Sequence, residues 1–65
     1  METQYELTRR IARATQQACI EAARRGFADA AQSGLCGDGA LEAALGAIET
    51  LDLDAVLRRT ALPER

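Results

Sequence analysis

The 65-residue chain contains no histidine and no lysine, and it holds only one tyrosine, one phenylalanine, one proline and two cysteines. Without an imidazole or an amine, no side chain can act as base for a cysteine nucleophile, either in one chain or in any assembly of copies. Two thiols without an imidazole also leave a four-ligand zinc site open within one chain, so no metal and no cofactor is expected. Two cysteines do not make a disulfide framework, and METQYELTRR is polar where a secretory leader needs an apolar run, so a cytoplasmic protein is expected. No apolar run approaches the roughly 18 residues that span a bilayer, which argues against a membrane partner. The net charge of -2 is small and acidic, whereas nucleic-acid modules are usually basic, so nucleic acid is an unfavoured partner.

What the chain does have is alanine, fourteen of them, with about a dozen larger apolar side chains spread between Leu7 and Leu57. A chain of this length buries only about 60% of the surface its unfolded form exposes. The core must therefore be small, and a second chain is a usual supplement at this size.

Helix signals divide the chain. Thr3 followed by Glu6 spells a capping box, which starts a first helix over about 4–32. Gly26 lies inside it and would permit a bend at a cost of about 1 kcal/mol against alanine. Glu6 with Arg10 and Glu21 with Arg25 stand as acid-before-base pairs four residues apart. The stretch SGLCGDG reads as a turn over 33–38, with Gly34 as a left-handed helix end, Leu35 folding back, and Asp38 capping the next helix. A second helix over about 39–51 carries Leu41, Ala44, Leu45, Ile48 and Leu51 at three-and-four spacing. Asp52 is placed to cap a third helix over about 53–61, with Arg58 and Arg59 at its negative end. Pro63 ends the pattern, and residues 62–65 are expected to fray.

Two features of the first helix bear on association. Ala14, Ala18, Ala22, Gly26 and Ala30 form a ladder of small residues at spacing four, which admits a close helix neighbour. At about 100° per residue, Leu7, Ile11, Ala14 and Ala18 fall on one side, and Ile20, Ala23, Phe27 and Ala31 fall roughly opposite. One returning segment cannot easily cover both. If it covers the Ile20 to Phe27 side, Leu7, Ile11, Ala14 and Ala18, with the stripe Arg9, Arg10 and Arg13, become the interaction surface. The simplest occupant is a second copy, because two-fold dimers are the commonest oligomers.

Cys36 is the one residue of SGLCGDG that the turn does not require. It lies just before a helix N-terminus, where the dipole and free N–H groups favour a thiolate, so it is the candidate reactive thiol. The competing reading is a small apolar plug buried under the turn. Cys19 sits mid-helix among alanines and reads as core packing. A continuous first helix holds the two thiols about 20 Å apart, beyond disulfide reach. The glycine-rich turn has no lysine and carries an aspartate where an anion would sit, so it is not a phosphate cradle.

The run from Gly34 to Ile48, followed by Leu51-Asp52-Leu53, resembles a group of short, uncharacterised bacterial helical-hairpin proteins with a Gly-Leu-Cys turn and an alanine- and leucine-rich second helix. The likeness covers about residues 18–53. It implies a helical hairpin and no established activity. Some of these proteins carry an acetyltransferase label, which does not suit a short chain without strands or a phosphate site for acetyl-CoA.

The sequence thus predicts an all-α domain: a long first helix, a Gly-rich turn, an antiparallel second helix and a short third one, paired into a homodimeric helical bundle. Its expected function is a non-enzymatic protein–protein interaction module, an accessory subunit or regulator of a larger protein. The alternative is a thiol-based redox or metal-responsive switch centred on Cys36.

Overall fold

A computed structural model describes residues 2–61, so the expected fraying of 62–65 lies outside the described residues. The described chain is all helical, in the order α1 (Gln4–Gln32), α2 (Gly37–Glu49) and α3 (Leu53–Ala61). Each boundary has a local cause. At the start of α1 the Thr3 hydroxyl accepts the Glu6 N–H at 3.1 Å, and the Glu6 carboxylate accepts the Thr3 N–H at 3.0 Å. At its end Gly34 takes φ 96, while the Leu35 N–H donates to Ala30 O and the Gly34 N–H to Ala31 O, both at 3.0 Å. That pair of bonds is a Schellman closure, which satisfies carbonyls the helix end would otherwise orphan.

The second helix begins earlier than the sequence boundary. Cys36, extended at φ -72 and ψ 174, is its N-cap residue, and Asp38 lies within the first turn instead of capping it. The Schellman closure is complete at Leu35, so one extended residue is enough to reverse the chain, and the turn contracts to 33–36. Leu35 then seats against Gly39, where an added Cβ would lie 3.0 Å from the leucine side chain. Asp52 does cap α3, accepting the Ala55 N–H at 3.0 Å.

Both α2 and α3 pack on α1, and neither packs on the other. The ladder determines how. Gly26 is used for close approach rather than for a bend: α1 runs through it, and a Cβ there would lie 2.9 Å from Ala43 O and 3.0 Å from Ala47 Cβ. Ala18, Ala22 and Ala30 on α1, Ala40 and Ala44 on α2, and Val56 on α3 make the buried core. After α2 the chain continues the same way along α1. Thr50 and Leu51 lie beside Ala22 and Arg25, and Arg59 and Thr60 beside Arg10, Arg13 and Ala14.

This arrangement reverses the expected coverage of α1. The returning segments cover the ladder and leave Leu7 and Ile11 half-buried, while Ile20 and Phe27 remain exposed. The reason is distance: a ridge of small residues lets two backbones approach and bury many atoms of both helices, whereas Phe27 would hold them apart. The Cα framework measures 49 × 23 × 13 Å. It is two helices wide and about one helix diameter thick.

Candidate interaction surface

A layer one helix thick has two broad faces, and here they differ. One is polar: Arg25, Asp29 and Thr50 share a shallow open depression on it, and Arg10, Arg13, Gln17 and Arg59 share another. The opposite face is apolar. In an antiparallel pair of right-handed helices, sides reached by turning the same way from the contact line fall on the same face of the pair. Phe27 on α1 and Leu41 and Leu45 on α2 are related in this way, and Leu57 on α3 continues the face. Phe27 is 43% exposed, Leu41 54% and Leu45 53%, while Ile20, Leu53 and Leu57 are also open to solvent. Val56, by contrast, is 2% exposed and is the one fully buried side chain larger than alanine among the described residues.

Charge is divided along the length of the molecule. From Gly26 to Leu57 there is no basic residue, and that stretch carries Asp29, Asp38, Glu42, Glu49, Asp52 and Asp54. Arg9, Arg10 and Arg13 sit at the other end of α1, and the last turn of α3 adds Arg58 and Arg59 beside them. The turn end is acidic and the opposite end is rich in arginine.

The surface expected from sequence is divided by the fold. Ala18 is buried beneath the returning segments, Leu7, Ile11 and Ala14 are half-buried, and Arg9, Arg10 and Arg13 are exposed. Arg10 makes a two-pronged ion pair with Glu2, Nε donating to one carboxylate oxygen and Nη2 to the other, the latter at 3.0 Å. The expected Glu6 partner is lost because the Glu6 carboxylate is engaged in the cap. The Arg10 hydrogen bond holds the Glu2 carboxyl below its ordinary pKa, and Glu2 in turn raises that of Arg10. Sequence reasoning missed Leu41, Leu45 and Leu57 as surface residues. The available signal was that Leu41 and Leu45 stand one position after the small residues Ala40 and Ala44, which take the inner face.

Both cysteines are free. Cys36 is exposed, not a plug, and Cys19 is half-buried in α1. The Cys36 sulfur closes no cap hydrogen bond. The backbone N–H groups of Gly39 and then Asp38 nevertheless act on it electrostatically and lower its pKa from the usual thiol value, against a smaller effect of desolvation. Among the described residues no cluster of three or more His, Cys, Asp or Glu is placed to hold a metal ion. No described helix is long and apolar enough to cross a membrane. No family model, curated protein or solved structure matches the chain, so its functional reading rests on its own geometry.

Proposed function

We propose that the chain is a non-enzymatic protein–protein interaction module, one that pairs with itself and serves as an accessory subunit or regulator of a larger protein. The observation that carries this reading is the inversion of side-chain size, with alanines inside and Phe27, Leu41, Leu45, Leu53 and Leu57 outside. Domains are ordinarily built from two packed layers around a core, and this one is a single layer. Its 5261 Å² of accessible surface exceeds by on the order of 1,000 Å² the roughly 4,000 Å² expected for a compact monomer of its mass. That excess is comparable to the roughly 800 Å² that each partner contributes to a standard interface. Light scattering after gel filtration, with reductant present, tests the reading. A mass above that of one chain is expected, and a monomer persisting at high micromolar concentration counts against self-pairing.

A second reading is favoured by the exposure and lowered pKa of Cys36. In it the thiol is a redox- or metal-responsive switch at the turn. Alkylation followed over pH separates the thiol from an ordinary one. Cys36 is expected to reach half its maximal rate at a lower pH than a cysteine in the unfolded chain, because the thiolate is the reacting species. The module reading further expects Cys36→Ser to leave assembly unchanged, whereas the switch reading expects its biological effect to disappear with folding intact.

A further inference from the structure

The apolar face and the division of charge together specify more than self-pairing. We infer that two copies stack through the Phe27, Leu41, Leu45 and Leu57 face with their long axes antiparallel, so that the arginine-rich end of each lies over the acidic turn end of the other. This rests on the self-pairing reading and adds its surface and its orientation.

The argument starts from symmetry. Two identical layers that meet through one broad face are related by a two-fold axis lying in the plane between them. If that axis runs along the length of the layer, the copies are parallel, the arginine-rich end of each lies over the arginine-rich end of the other, and the acidic turn ends likewise lie over one another. If it runs across the length, basic meets acidic at both ends. Like charges facing one another across an interface disfavour the first arrangement, and complementary charges favour the second.

The register also fits. Arg58 on α3 and Glu49 on α2 both lie on the edge of the α2–α3 leg away from α1, opposite the buried Val56 and the buried Ala40 and Ala44. Arg59 and Thr60 lie beside Arg13 and Ala14, which sets Arg58 about 6 Å on one side of the midpoint of α1. Thr50 lies beside Ala22, which sets Glu49 about 6 Å on the other side. An axis crossing near the middle of α1 stacks each leg on its own equivalent and therefore carries Arg58 of one copy to the neighbourhood of Glu49 of the other, twice per dimer. Taking α2 and α3 as one interrupted leg, the result is a four-helix bundle, the architecture in which paired helical hairpins bury their large side chains.

The test uses the full chain with Cys19→Ser and Cys36→Ser and a spin label on Gln32→Cys at the end of α1. In the antiparallel dimer the two labels sit about 40 Å apart, whereas in a parallel one they come within roughly 20 Å. Charge exchange is the second arm, read by sedimentation equilibrium with circular dichroism to confirm folding. Arg58→Glu and Glu49→Arg are each expected to weaken association about tenfold, and the double variant to recover to within about twofold, with the single losses shrinking at high salt. A dimer with a short label distance, or a double variant no better than the singles, overturns the antiparallel stack and leaves self-pairing standing. A monomer in the unlabelled wild type overturns both.

Discussion

The two halves of the hairpin are held by different means. Against α2, the first helix offers backbone: Gly26 and its alanines let the helices close until a Cβ at position 26 would lie 2.9 Å from Ala43 O. Against α3 it receives one fully buried side chain, Val56, from a helix of nine residues. The difference teaches that a small chain can secure a fold by proximity, which needs no large residue, or by a single anchor, which leaves little in reserve.

The comparison breaks or sharpens most sharply at Gly26. Gly26→Val introduces a branched side chain where no space exists, and a loss of about 3 kcal/mol is expected in denaturant unfolding despite relief from glycine's poor helix propensity. A neutral result would mean that the α1–α2 contact is not distance-limited. Val56→Ala comes next, at about 2 kcal/mol. Its signature is regional: amide exchange in α3 accelerates while α2 stays protected, whereas equal acceleration in both would make the two halves one cooperative unit. Gly34→Ala follows, at roughly 1 kcal/mol, since nothing crowds position 34 and only its left-handed backbone opposes a side chain. The smallest effect belongs to the Glu2–Arg10 pair, which is exposed and screened by salt. Because folding lowers the pKa of Glu2, the contribution of the pair is complete above the ordinary glutamate range and fades as pH falls through the lowered value. Arg10→Gln should raise the midpoint at which the Glu2 chemical shifts titrate toward the ordinary glutamate value, and an unchanged midpoint would mean that Arg10 does not hold it down.

Much of this fold is legible in the residues. Thr3 and Glu6, Gly34, and Asp52 mark helix ends through hydrogen bonds closed within a few positions, and such local chemistry needs no knowledge of the rest of the chain. What was not legible was competition. Glu6 has one carboxylate, and its engagement at the cap releases Arg10 to Glu2, which pattern alone does not rank. Asp38 is a good capping residue in a place the backbone reached too early, because the Schellman closure left a single extended position for Cys36. The faces of α1 were misjudged for a related reason: apolar size favoured burying Ile20 and Phe27, but distance of approach favoured the ladder. The candidate surface followed from that misjudgement, since the exposed leucines of α2 and α3 are defined only once the inner face of α1 is known.

The alanine core has a thermal consequence. Heat capacity changes on unfolding in proportion to the apolar surface newly wetted, and methyl groups with a single valine supply little of it. The stability curve of one isolated chain should therefore be shallow, with little bend between cold and heat. In the pairing proposed above, the stronger calorimetric signature would belong to the step that covers Phe27 and its neighbouring leucines, where the large apolar area lies.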